Sequence, residues 1–145
     1  MPEVDDEYQA LCDEKASKEA EKSSVESDIS SLDSKIEALR AAYTKIDDAK
    51  ESIKDVRKYL RKLPNDYDDS WKGQFADDVY KECKKGGVRI DYYYTRYIEL
   101  VDDIQDNLNL KITELENEKL RKIAVLGEIL SWLNNFATWV QNLAN

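Results

Sequence analysis

One segment divides the chain into two arms: Leu63-Pro64-Asn65-Asp66-Tyr67-Asp68-Asp69-Ser70. Proline lacks a backbone N–H and clashes with the preceding helical turn, so we expect the first helix to end before Pro64. Asn65 and Asp66 are residue types that favour turns, and Ser70 is suited to capping the next helix. A single turn over residues 64–70 should therefore make the two arms antiparallel neighbours.

The first arm, about residues 4–63, carries a coiled-coil pattern of apolar residues. They recur at spacings of three and four, and they are Val25, Ile29, Leu32, Ile36, Leu39, Tyr43, Ile46, Ala49, Ile53, Val56, Leu60 and Leu63. A sustained repeat of this kind indicates a helix whose apolar stripe packs against a partner helix. Two successive spacings of three between Tyr43 and Ala49 predict a local overwinding of the pair.

The second arm, about residues 70–143, repeats the pattern. Its predicted seam consists of Phe75, Val79, Cys83, Tyr94, Tyr97, Val101, Ile104, Leu108, Ile112 and Leu115. Gly86 and Gly87 interrupt this seam, and two glycines inside a helix cost roughly 2 kcal/mol relative to alanine. We therefore expect a kink there, or a division of the arm into two helices. The predicted fold is all-α: one domain over residues 1–145, folded as a long antiparallel two-helix hairpin that is coiled-coil-like.

A run rich in tyrosine, residues 91–97, stands out in the second arm. Its members Tyr93, Tyr94 and Tyr97 lie at helical spacing. Stacking on nucleobases is unsuited to so acidic a protein. We expect the rings to pack on the first helix while their hydroxyls reach water.

Composition excludes several classes of function. The chain has 145 residues and a formal net charge of −9, which disfavours binding to nucleic acid or to an anionic membrane. We expect no Sec signal peptide and no membrane insertion, and therefore a cytoplasmic protein or one exported by another route. Cys12 and Cys83 are too few for a disulfide framework, and we expect both to be small buried or half-buried residues.

No combination of residues points to catalysis. The chain has no histidine, which removes the commonest general base and the commonest metal ligand. The acidic turn with Asp66, Asp68 and Asp69 loosely resembles a calcium loop, but Trp71 stands where that loop requires glycine. We expect these carboxylates to cap and solvate the turn, and we predict a protein that is not an enzyme and that needs no cofactor or metal.

The C-terminal segment, residues 123–145, has Glu128 as its only charged side chain. Its apolar residues cover an arc of roughly 200°, which is wider than a hairpin partner normally covers. In an antiparallel hairpin they meet the start of the first arm, which offers few apolar residues. Exposed apolar patches mark interaction sites, and tryptophan is enriched at binding hot spots. The sequence therefore predicts a partner-binding face consisting of Val125, Trp132, Phe136, Trp139 and Leu143. The alternative is that the segment folds back, or that the N-terminal helix covers it fully.

A short motif follows the turn: Trp71-Lys72-Gly73-Gln74-Phe75. We expect the indole of Trp71 to wedge between the helix ends and Gly73 to let the backbones approach without a Cβ. Phe75 is expected to begin the second seam. At the turn of an acidic two-helix chain, this Trp-x-Gly motif resembles the WXG-type helical hairpins of bacterial type VII secretion. In its length and in the Phe-Ala start of its second helix, the chain looks like the YwqH-like branch, which is associated with LXG-type toxins of Gram-positive bacteria.

The resemblance implies an accessory adaptor that binds a helical partner for type VII secretion. That partner would be the helical N-terminal domain of an LXG-type toxin, a small WXG-like sister protein, or both. The export signal of the family, an aromatic residue followed four positions later by an acidic one, is missing after the second helix. Tyr43 and Asp47 have this spacing but lie inside the first helix. The alternative function is that of a self-associating structural coiled coil, a homodimer without cargo.

Overall fold

The computed structural model describes residues 2–62 and 73–145, which form two α-helices. Helix α1 spans Pro2–Lys62 and helix α2 spans Gln74–Ala144. The predicted all-α helical hairpin is confirmed, whereas the predicted turn at 64–70 lies outside the described residues. The chain divides into two compact units: unit 1 consists of Met1–Ala38 and Lys111–Asn145, and unit 2 of Leu39–Leu110. In neither described helix is any stretch long and apolar enough to cross a membrane.

Local interactions favour the helical state of α1. Glu3 and Asp5 occupy its first turn, and Arg61 and Lys62 occupy its last turn. These charges oppose the helix dipole at each end and thereby stabilise the helix. Ion pairs between residues four apart, such as Lys15 with Glu19, add a few tenths of a kcal/mol each.

Unit 1 is built around an apolar seam between α1 and α2. Its buried aliphatic residues are Val25, Leu32, Ile36, Ile112, Leu115 and Ile129. Two ion pairs cross the seam, one between Lys122 and Asp28 at 3.1 Å and one between Lys119 and Asp33. Because a later residue of α1 pairs with an earlier residue of α2, the two helices run antiparallel in this unit.

Unit 2 has a polar layer within its seam. The side chain of Gln105 is only 3% exposed, and its Nε2 donates a hydrogen bond to Asp47 Oδ1 at 3.1 Å. Lys50 Nζ lies 2.6 Å from Gln105 Oε1 and 2.9 Å from Asp102 Oδ1. An amide and an ammonium group thus occupy positions that are normally apolar in a coiled coil. Such a layer specifies the register of the two helices at some cost in stability.

This layer corrects the predicted seam of α1. Lys50 and Arg57 are half-buried, whereas the predicted seam residues Ala49 and Val56 are exposed. With Lys50 and Arg57 in the seam, the alternation of three and four continues without interruption. The basis for the predicted overwinding after Tyr43 therefore disappears.

The predicted seam of α2 is corrected in the same way. Ile98 and Gln105 are buried, whereas Tyr97 and Ile104 are 58% and 50% exposed. Apolar spacing alone predicts that Ile104 faces α1, because the neighbouring Gln105 is polar. In the structure Gln105 faces α1 instead, and this is favourable because partners on α1 satisfy the hydrogen bonds of its amide.

The glycines of α2 have two different roles. The helix continues through Gly86 and Gly87, so the predicted division of the second arm into two helices is wrong. Gly73 has a φ of +114°, and its carbonyl accepts the N–H of Asp77 at 3.0 Å, where α2 begins. A Cβ built on Gly73 meets no atom within 4 Å in the part of the chain that is described; the turn residues before Gly73, which it was expected to approach, lie outside that part. The positive φ is itself a reason for glycine at this position.

Two alanine substitutions should have opposite effects. A Cβ at Gly86 also meets open space, so Gly86→Ala should raise the free energy of unfolding by up to about 1 kcal/mol through helix propensity. Gly73→Ala should lower it by about 1–2 kcal/mol, because an L side chain rarely adopts a φ of +114°. Urea unfolding followed by circular dichroism measures both changes, and a shift of the same sign for the two variants would contradict these roles.

Candidate partner-binding surfaces

The three rings of the predicted C-terminal face form one cluster on α2. The ring centroid of Trp132 lies 5.1 Å from that of Trp139 and 6.0 Å from that of Phe136. Residues three, four and seven positions apart share one side of a helix, which brings these rings together. We call Trp132, Phe136 and Trp139 the C-terminal cluster. All three rings are half-buried.

Helix α1 meets this cluster with a cation. The ammonium of Lys15 lies 5.0 Å from the centroid of the Phe136 ring, within the range of a cation–π interaction. The alkyl stem of a lysine can cover apolar surface while its charged end remains in water. The acidic first arm therefore covers part of the aromatic surface with a lysine side chain, and the three rings remain half-buried.

The five residues of the predicted face fall into two lines along α2. Phe136 and Leu143 are seven residues apart and continue the heptad position of the buried Ile129. Val125, Trp132 and Trp139 are also seven residues apart and lie beside the seam. Val125 is exposed, and the two tryptophans are half-buried. The second line lies outside the heptad positions that face α1, so it is the side of the face on which a third helix can pack.

Unit 2 exposes another apolar surface, which sequence reasoning missed. Five residues of α2 recur at spacings of three and four and are between 43% and 64% exposed: Ile90, Tyr93, Tyr97, Leu100 and Ile104. This spacing places them on one side of the helix. We call these five residues the unit 2 stripe.

Two of the three tyrosines of this region do not pack on α1 as predicted. Tyr94 is half-buried, but Tyr93 and Tyr97 are exposed. Together with Ile53 of α1, the three rings line an open groove of ≈ 400 Å³. The groove lies beside the seam and offers apolar walls to an incoming side chain.

The other flank of the seam in unit 2 is charged. The guanidinium of Arg61 donates two hydrogen bonds to Asp91, one of them from Nη2 at 3.1 Å. These bonds hold the pKa of the Asp91 carboxyl below its ordinary value. The hydrogen bond from Gln105 likewise lowers the pKa of Asp47. Polar contacts therefore close one flank of the helix pair, and the apolar stripe remains on the other.

The remaining predicted residues have the following positions. Trp71 lies outside the described residues, and the side chain of Phe75 is exposed. Tyr43 is half-buried and Asp47 belongs to the polar layer, so both members of the export-signal spacing have structural contacts.

The two cysteines are free thiols. Cys12 is half-buried as predicted, whereas Cys83 is exposed, which corrects the prediction for that residue. Across residues 2–62 and 73–145, no three acidic, cysteine or histidine side chains are grouped as a metal site requires.

The stability of the helix pair should fall in acid. Asp47 and Asp91 have depressed pKa values in the folded state, so the stability they contribute is present above the unfolded-state pKa of about 4 and is lost as the pH falls through the folded values. The midpoint of thermal unfolding should therefore be steady near neutrality and should fall below about pH 4.

Replacing both carboxyls tests this assignment. Asp47→Asn with Asp91→Asn should lower the midpoint at neutral pH and should make the loss in acid shallower. A control with Asp55→Asn and Asp106→Asn alters exposed carboxyls and should keep the wild-type profile. An acid loss that is the same in all three proteins would contradict the assignment.

Comparison with known proteins gives a match over most of the chain. Residues 13–138 match the model of the family described as YwqH-like. No curated protein and no solved structure matches the chain. The family match confirms the resemblance to the YwqH-like branch.

Proposed function

The chain belongs to the YwqH-like family, and on that premise we propose that it is an accessory helical adaptor for type VII secretion. Its proposed partner is the helical N-terminal domain of an LXG-type toxin or a small WXG-like protein. We propose that it acts without catalysis, and that it works in the cytoplasm or leaves the cell through type VII secretion rather than through the Sec route.

The line of Val125, Trp132 and Trp139 is the observation that carries this proposal. These side chains lie at heptad spacing beside the seam of unit 1, where a third helix can pack. The Lys15 ammonium of α1 lies over Phe136, and both indoles remain only half-buried. A partner helix laid along this line would complete the burial of both indoles. Tryptophans that become fully desolvated in this way dominate many interfaces.

The proposed binding mode is helix against helix. A partner hairpin that packs its apolar stripe on unit 1 would complete a four-helix bundle with α1 and α2. The anchor face would consist of Val125, Trp132, Phe136, Trp139 and Leu143. Specificity for a partner would arise from shape and apolar spacing, since the face itself contains no charged side chain.

Removal of the two indoles should weaken partner binding. We expect Trp132→Ala with Trp139→Ala to keep the helicity of the wild type and to reduce affinity at least about tenfold. The partner is identified by affinity capture of the tagged full-length protein from its source cells, followed by mass spectrometry, and the affinity is then measured by titration. Leu120→Ala is a matched control, because Leu120 is a 63% exposed apolar residue of the same helix outside the face.

Two results would overturn the proposal in different ways. Binding that is unchanged in the double variant would contradict the anchor face. Recovery of the bait alone, with neither a protein that has a helical N-terminal domain nor a small helical sister protein, would contradict the adaptor function.

A further inference from the structure

We propose that the unit 2 stripe is a self-association surface, on which α2 packs antiparallel against α2 of a second copy of the chain. The stripe extends from Ile90 to Ile104, a rise of about 21 Å along the helix. The chain buries Gln105 and leaves the adjacent Ile104 half exposed. A seam shifted by one residue would bury the isoleucine, so the observed register leaves this apolar surface for another contact.

The order of residues along the stripe fits a twofold axis. An interface between identical copies requires that when residue i contacts residue j, residue j also contacts residue i. With the axis between Tyr97 and Leu100, Tyr97 meets Leu100 of the second copy and Tyr93 meets Ile104 of the second copy. Apart from Ile90, the aromatic half of the stripe therefore packs on the aliphatic half, and each such contact occurs twice.

The groove beside the stripe supports the same arrangement. It is lined by Ile53, Tyr93, Tyr94 and Tyr97, and it is open to solvent. In the antiparallel pair, an aliphatic side chain of the second copy enters this groove as a knob enters a hole. The occupant of the groove is thus an aliphatic residue of the stripe itself.

Charges beside the stripe select the antiparallel direction. Arg96 and Asp103 are exposed, and each precedes a stripe residue by one position. Within the described residues neither of them forms an ion pair. In the antiparallel pair, Arg96 of each copy faces Asp103 of the other, which gives two ion pairs. A parallel pair would place this flank of the two copies on opposite sides of the interface, where Arg96 does not meet Asp103.

A second copy fits this surface better than an unrelated helix. The aromatic and aliphatic halves, and the positive and negative flanking positions, are all present in one segment and in complementary order about its centre. Because the stripe lies in unit 2 and the proposed adaptor face lies in unit 1, this inference does not depend on the proposed function.

Sedimentation velocity of the full-length protein over a range of concentrations tests the proposal. We expect a reversible monomer–dimer equilibrium. Leu100→Asp should abolish the dimer, whereas Leu120→Asp, an equally exposed leucine outside the stripe, should preserve it. Circular dichroism confirms that each variant keeps its helicity.

A charge exchange gives the sharpest test of the geometry. Arg96→Asp alone and Asp103→Arg alone should each raise the dimer dissociation constant roughly tenfold, since each replaces two ion pairs with two like-charge contacts. The double variant should return to within about threefold of the wild type, because the pairs are restored with exchanged partners.

Several results would overturn the proposal. One is that the chain stays monomeric at every concentration, even if it binds a different protein. Another is a dimer that survives Leu100→Asp. A third is a double variant no better than either single variant, which would rule out the antiparallel pairing. Loss of the dimer in Trp132→Ala with Trp139→Ala would place the contact on the C-terminal face instead.

Discussion

The hydrogen bonds of the Gln105 amide determine which residues of unit 2 are buried. The amide donates to Asp47 and accepts from Lys50, and the side chain is almost fully excluded from water. A buried amide without partners would destabilise the fold by about 1–3 kcal/mol, so a rotation or a slide of one helix that broke these bonds would be unfavourable. The polar layer thereby fixes which side of α2 faces α1. The positions of Tyr97, Leu100 and Ile104 at the surface follow from it.

The two units differ in how many apolar residues they bury and how many they expose. Unit 1 contains six of the seven buried aliphatic residues of the described chain, although half-buried lysines occupy the seam positions of α1 before Val25. In unit 2 the one buried aliphatic residue is Ile98, and polar contacts such as the Arg61–Asp91 pair take the place of apolar packing. A helix pair held partly by polar contacts can leave its apolar residues on the outer surface. Such surfaces are the usual sites of helix-in-groove recognition.

Much of the fold could be predicted from the sequence, because heptad spacing and the proline-containing segment are local signals. The positions of Val25, Leu32 and Ile36 in the core follow directly from that spacing. Of the two outcomes expected at Gly86 and Gly87, the division into two helices did not occur, because a propensity cost of about 2 kcal/mol is small beside the packing of a 71-residue helix. The polar layer could not be predicted from apolar spacing, because that pattern considers each residue separately. Burial of a glutamine is favourable only when its hydrogen-bonding partners are also present.

The candidate surfaces were predictable to different degrees. The C-terminal face was recognised from composition, since residues 123–145 contain a single charge beside two tryptophans. The unit 2 stripe was missed because Tyr97 and Ile104 were assigned to the seam. The signal that could have identified it is a second apolar heptad on α2, displaced by one residue from the Ile98 heptad and extending through the same turns.

The central claim is that Ile98 and Gln105, rather than Tyr97 and Ile104, face α1. A comparison of Ile98→Ala with Ile104→Ala by urea unfolding, at a concentration where the chain is monomeric, tests it most directly. Ile98→Ala should lower the free energy of unfolding by about 2–4 kcal/mol, whereas Ile104→Ala should lower it by less than about 1 kcal/mol. Equal losses, or a greater loss for Ile104→Ala, would contradict the register on which both the polar layer and the exposed stripe depend.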